Sequence, residues 1–140
     1  KEESGEGVRI LVVDASALVE FLFRVPESAF YDSLLTGPDT DLHVPDLSDL
    51  EVLSVLRRLV RTEGTSISRA KQALRHYLDL PVTRHGHRAF LQRCFELRDV
   101  LTAYDAVYVA LAEALNAELV TADRRLARTA EALGHTCLSP

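Results

Sequence analysis

The chain has 140 residues, 47% of them hydrophobic and 26% charged, and a net charge of −5. This is one ordinary soluble domain with enough length to bury a core. No apolar run approaches the roughly 20 residues of a membrane span, and the acidic balance argues against gripping nucleic acid by overall charge.

The opening residues KEESGEG (1–7) are polar and glycine-containing, and read as a flexible tail outside a single domain over 8–140. Val8 to Val13 is a short apolar run, expected to be a strand buried on both faces of a parallel sheet. Leu18, Phe21 and Leu22 then recur at helical spacing over 15–23, Pro26 interrupts, and a second helix is expected over 27–36, ended by Gly37. P-D-T-D at 38–41 reads as a loop and Leu42 to Val44 as a second short strand. A strong helix follows from Leu47 to Arg61. Val52, Leu53, Leu56, Leu59 and Val60 fall within about 120° on its wheel, and Leu47, Glu51, Ser54 and Arg58 lie opposite. Gly64 ends it, and Ser66 or Ser68 caps the next helix, 67–79.

Residues 81–85 form a connector with a possible strand at Pro81 to Thr83, followed by a helix over 87–98. Thr102 is a fitting N-cap for a helix whose stripe is Tyr104, Val107, Tyr108, Leu111 and Leu115. Glu118 to Thr121 reads as a strand, Asp123 opens a helix to about Leu133, Gly134 stops it, and His135 to Leu138 is a last strand. Strands separated by helices imply an α/β fold with a small, mostly parallel sheet of about four short strands. Cys94 and Cys137 match no ligand spacing and read as buried thiols of a reducing cytoplasm.

The acids carry the chemistry. Asp14 follows the first strand, Asp123 follows the strand ending at Thr121, and Asp105 lies in the first turn of the helix opened by Thr102. In open α/β sheets ligands bind outside the carboxyl ends of the strands, so acids at these places converge on one crevice. Glu51, off the core stripe of its helix, can point there too. Each acid alone has a plainer reading, as a helix cap, a complement to a helix dipole or a solvated side chain. Together they suit a hard divalent cation, which relieves their mutual repulsion and can activate water for attack on a phosphodiester.

Four stretches in order, V-V-D-A-S-A-L, P-D-L-S-D-L-E-V-L-S-V-L-R-R, L-T-A-Y-D-A-V-Y-V-A-L-A and L-V-T-A-D-R-R-L-A, make the chain resemble the PIN-domain family. Within it the resemblance is to the VapC-type toxins of toxin–antitoxin pairs, and it extends over about residues 8–138. It implies a PIN-like α/β/α sandwich and a metal-dependent endoribonuclease using Mg²⁺ or Mn²⁺. The implied metal-site acids are Asp14, Glu51, Asp105 and Asp123. Ser16 and Thr121 match small hydroxyl positions that hydrogen-bond a ligating carboxylate or a water on the ion. Ser54 stands where many relatives carry Asn, three residues after the glutamate, and shares its helical face. The resemblance also implies a homodimer inhibited by a VapB-type antitoxin. Apolar helix surface such as Phe21, Leu22, Phe30, Tyr31 and Leu34, with Val52 to Val60, is where such partners would dock.

RNA near an acidic centre needs cations at the rim. The candidates are Arg57, Arg58, Arg61, Arg84, Arg88, Arg124 and Arg125, which would position phosphates without reading sequence. The five histidines form no zinc spacing, and His85 and His87, in T-R-H-G-H-R, read as surface residues. The alternative function is a non-catalytic PIN-fold module for protein association; degenerate proteins of that kind are expected to lose acids, and here none of the four is missing.

Overall fold

The run Ile10–Val13 has no polar side to offer solvent, and the sheet is built around it. The computed structural model describes residues 7–23 and 28–140. In it β1 (Arg9–Val13), β2 (Thr40–Pro45), β3 (Val82–His85), β4 (Glu118–Val120) and β5 (Cys137–Leu138) form one sheet in the order β3-β2-β1-β4-β5. All four pairings are parallel, with Val12 opposite His43 on one side and Leu119 on the other.

The helices are α1 (Ala15–Phe23), α2 (Ser28–Leu35), α3 (Leu47–Thr62), α4 (Ile67–Asp79), α5 (Leu91–Glu96), α6 (Ala103–Leu115) and α7 (Arg124–Ala132). They cover the sheet on both faces because β1 alternates: Leu11 and Val13 enter one core and Val12 the other. The first core takes Leu18, Leu22, Tyr31, Val52, Leu56 and Tyr77 from α1–α4. The second takes Cys94, Val107, Leu111, Leu126 and Ala130 from α5–α7. Burying each such Leu or Val contributes about 1.5–3 kcal/mol, so Leu11→Ala at this fully buried position should cost about 2–5 kcal/mol. The result is an α/β/α sandwich.

Several elements differ in extent from the expectations, and the reasons are tertiary. The sheet has five strands rather than about four: the strand suggested at Pro81 to Thr83 is realised as β3 and runs on to His85, because β2 offers it an edge from Leu42 to Pro45. Likewise β2 begins at Thr40, inside the expected loop, where Arg9 of β1 pairs with it. The helix expected over 87–98 is a 3₁₀ turn, Arg88–Phe90, followed by the short α5. Tyr104, placed on the apolar stripe of α6, is 62% exposed, because Ala106 to Ala112 are buried on every side and already fill the space. Leu53, placed on the stripe of α3, is also exposed. Pro26 and the start of the helix expected from residue 27 lie outside the described residues, as do residues 1–6 of the expected tail.

The expected punctuation is present where backbone geometry demands it. Gly64 (φ 77°) and Gly134 (φ 94°) adopt left-handed conformations after α3 and α7. Ser66, not Ser68, caps α4 by accepting from the Arg69 N–H at 3.0 Å.

Candidate active site

Parallel strands deliver their carboxyl ends to one edge, and two acids begin where β1 and β4 stop. The Asp14 N–H donates to the Val120 carbonyl at 3.0 Å, locking the two strand ends together. Asp14 is 6% exposed, and its carboxylate accepts three hydrogen bonds. Its Oδ1 accepts from the Ser16 hydroxyl at 2.7 Å and the Ala17 N–H at 3.0 Å, and its Oδ2 accepts from the Thr121 hydroxyl. Asp14 therefore does cap α1. Ser16 Oγ also accepts from the Ala122 N–H at 3.0 Å, and Thr121 Oγ1 from the Asp123 N–H at 2.9 Å. Two small hydroxyls thus stitch the β1 and β4 ends into one polar cradle.

Asp123 caps α7, its Oδ1 accepting from the N–H groups of Arg125 (2.9 Å) and Leu126 (3.3 Å). Asp105 sits in the first turn of α6, where its N–H donates to Thr102 Oγ1 at 3.1 Å. Glu51 arrives on α3, and its Oε1 accepts from the Tyr108 hydroxyl of α6 at 2.7 Å. Sequence reasoning assigned Tyr108 to the apolar stripe alone. The available signal was that a buried tyrosine hydroxyl needs a polar partner.

The start of α3 is itself held by the loop after β3. Asp46, at the helix entrance, makes no side-chain cap; instead His87 Nε2 accepts from the Leu47 N–H at 3.0 Å. The Asp46 N–H donates to the His85 carbonyl at 2.8 Å. The His85 ring in turn lies 2.8 Å (Nε2) from His43 Nδ1. The surface reading of His85 and His87 is therefore corrected: both are half-buried with hydrogen-bonded rings, and the His87 ring and the His85 carbonyl seat the helix that carries Glu51.

Asp14, Glu51, Asp105 and Asp123 line one hollow of about 270 Å³, with Ser16, Ser54, Val55 and Tyr108 completing its wall. Burial pushes the Asp14 carboxyl up to about 6 against its three hydrogen bonds, with the Asp105 charge adding to the rise. Burial also raises Glu51, followed by the effect of Asp105, and raises Asp105, followed by the effect of Asp123. Negative charge is thus costly at three of the four positions. As the side chains stand, among the described residues, no three His, Cys, Asp or Glu side chains are grouped tightly enough to hold one ion by themselves. An all-oxygen set of this spread fits a cation that keeps much of its own water and takes one or two carboxylates directly, as Mg²⁺ does.

The cations suggested for RNA divide. Arg125 lines a second hollow that adjoins the first, while Arg57 and Arg61 line an apolar groove between α3 and α4. Arg84 is engaged with Asp49, Nε to Oδ1 at 2.9 Å, beside Tyr77. Arg58, Arg88 and Arg124 line none of these three cavities. Of the apolar residues suggested for docking, Leu22, Tyr31, Val52 and Leu56 belong to the core, and Phe21, Phe30 and Leu34 pack against it.

Comparison with known proteins decides the family. The model of the PIN domain matches residues 11–132. The chain belongs to the PIN-domain family. It is 42% identical over 123 residues to ribonuclease VapC9 of Mycobacterium tuberculosis, covering 88% of this chain and 93% of that protein. Ribonuclease VapC3 of the same species is 40% identical over 129 residues, covering 89% and 92%. Among solved structures, PAE2754 from Pyrobaculum aerophilum superposes with a TM-score of 0.68 at 28% identity, over 94% of this chain and 84% of that one. Within the PIN family, the chain therefore falls among the VapC ribonucleases, the toxins of VapBC toxin–antitoxin pairs. The PIN-like sandwich implied by the four sequence motifs is the fold observed.

Proposed function

We propose that this VapC ribonuclease is a Mg²⁺-dependent endoribonuclease, with Mn²⁺ a possible substitute, and that Asp14, Glu51, Asp105 and Asp123 hold the ion. The observation that carries the reading is the shared hollow lined by all four acids, three of them with raised pKa values. A cation there offsets the cost of their ionisation. When bound, Mg²⁺ supplies charge neutralisation at the phosphodiester and lowers the pKa of attacking water. The chain's own residues set the stage for that chemistry. Asp14 is fixed by Ser16, Ala17 and Thr121, so its orientation needs no reorganisation as charge develops. Tyr108 fixes Glu51, and Ser54 stands beside it in the same wall. A cleavage assay on structured RNAs, with and without Mg²⁺ or Mn²⁺, tests the reading. Metal-independent cleavage sinks the metal assignment, and no cleavage under any metal sinks the reading and favours a binding module.

The partners follow from the toxin class. We propose a cytoplasmic homodimer neutralised by a cognate VapB-type antitoxin. No described helix is long and apolar enough to cross a membrane. The antitoxin is assigned the groove between α3 and α4, lined by Leu53, Leu56, Val60, Ile67, Ala70 and Leu74. Arg57, Arg61 and Lys71 line it too and no acid does, which suits an amphipathic segment bearing carboxylates. If Leu53→Asp disrupts the dimer and leaves neutralisation intact, the groove belongs to a second copy of the chain instead.

A further inference from the structure

Asp105 and Asp123 line two cavities at once. Beyond the carboxylate hollow they border a second one of about 380 Å³, which Arg98, Asp99, Val100, Leu101, Thr102, Arg125, Leu126 and Thr129 also line. Resting on the ribonuclease reading of the first hollow, we propose that the second is the seat of the nucleotide flanking the scissile bond. In it Arg98 and Arg125 clamp the neighbouring phosphate of a single-stranded RNA.

Three observations support this assignment. First, the cavities share a wall made of two of the metal-site acids, so a chain whose scissile phosphate lies in one continues directly into the other. Second, neither arginine forms a salt bridge among the described residues, whereas Arg9, Arg84 and Arg93 are paired with Glu118, Asp49 and Glu113. Arg98 has no acidic partner but is not loose: its Nη1 donates to the Phe95 carbonyl at 3.1 Å and its guanidinium lies 4.7 Å from the Phe95 ring centroid. Arg125 is fixed at its backbone by the Asp123 cap, and its charge helps hold the Asp105 pKa down. Third, the cavity pairs this polar rim with an apolar wall of Val100, Leu101 and Leu126, which suits the face of a sugar and base.

The charge balance makes the site conditional. Three carboxylates, those of Asp99, Asp105 and Asp123, face two guanidiniums. The bare cavity therefore attracts a polyanion poorly, and a divalent cation beside Asp105 and Asp123 tips the sign. RNA engagement and metal occupancy are coupled through this shared wall. Arg98 carries no basic signature in the sequence, standing after a short helix, in R-D-V, away from any basic run.

Steady-state RNA cleavage across a salt series tests the proposal, using Arg98→Gln, Arg125→Gln and the control Arg75→Gln. Arg75 is exposed on α4 and lines neither cavity. The expected result for each test variant is a KM raised about tenfold with kcat within about threefold. The slope of log(kcat/KM) against log salt should become shallower by about 0.7 per lost phosphate contact, with the control unchanged. Unchanged KM and slope in both variants, with the wild type cleaving RNA normally, overturn the inference and leave the active-site reading standing. If the wild type fails to cleave, that reading fails separately. Fluorescence anisotropy of a labelled single-stranded oligoribonucleotide, with and without Mg²⁺, then decides the cavity. Mg²⁺-enhanced binding that both variants weaken supports it; equal binding overturns it.

Discussion

Helix α3 separates two cavities of equal size and opposite character. Its Glu51, Ser54 and Val55 face the carboxylate hollow; its Leu53, Leu56, Arg57, Val60 and Arg61 face the groove against α4. Each cavity is about 270 Å³. In one, raised carboxyl pKa values record charge that burial disfavours. In the other, apolar side chains remain open to water under a rim of cations. Both are unmet demands, and they call for different partners: a cation and phosphate on one side, an amphipathic chain on the other. One helix can serve both because a helical period of 3.6 places residues 51, 54 and 55 on one face and 53, 56 and 60 on another.

The harshest way to break this comparison is to remove an acid. Asp14→Asn, Asp105→Asn and Asp123→Asn should each lower Mg²⁺-dependent RNA cleavage by about a hundredfold or more while antitoxin binding in the groove persists. Cleavage rates and co-purification read the two sides separately. Full activity in all three variants sinks the catalytic assignment. Asparagine still caps helices, so loss of the cap does not confound Asp14 or Asp123.

The next effect concerns stability without metal. The Asp14 pKa is raised from 3.8 to about 6, so the folded state binds more protons than the unfolded chain between those values. The contribution of Asp14 to stability is therefore highest below that window and declines as pH rises through it, by about 3 kcal/mol at most. Asp14→Asn should flatten this decline, and added Mg²⁺ should restore stability to the wild type at neutral pH. Chemical denaturation of the metal-free protein at several pH values measures it. A wild type that gains stability from pH 4 to 6 through this residue contradicts the burial argument.

On the other face, Leu53→Asp or Ile67→Asp places a carboxylate in the apolar groove. Antitoxin affinity should fall about thirtyfold, the scale of a central interface residue, with RNA cleavage unchanged. Titration of the purified pair against a cleavage readout measures both. Tyr108→Phe acts in the carboxylate hollow alone. It removes the hydroxyl that Glu51 accepts, so metal affinity should weaken about tenfold while the buried ring keeps the fold.

Much of this was legible in the sequence because each signal was local. Ile10 to Val13 announces a strand buried on both faces, and Asp14 and Asp123 mark strand ends followed by helices. The four acids could be brought together by the rule that parallel strands open at one edge. What escaped depended on contacts distant in sequence. β3, suggested only over Pro81 to Thr83, runs on to His85 because β2 pairs with it there, and Arg84 carries no strand pattern of its own. Tyr108 fits an apolar stripe equally well whether or not Glu51, 57 residues away, meets its hydroxyl. The division of Val52 and Leu56 from Leu53 was invisible on a helical wheel, because the wheel does not say how far α4 reaches over α3.

The smallest expected effect falls on both faces together. The first N–H of α3 is satisfied by His87 rather than by Asp46, so an imidazole on the β3–α5 loop performs the work of an N-cap. His87→Ala should cost about 1 kcal/mol, as removal of a side-chain cap does. The loss is in the seating of the whole helix, so the variant should loosen Glu51 and the groove alike, raising the Mg²⁺ requirement and weakening antitoxin binding by a few-fold each. His87→Gln, which can present an amide oxygen, should recover most of both. Paired measurement of the two affinities in the two variants decides the point: movement of one without the other means the faces of α3 are set independently, and His87 only closes a loop.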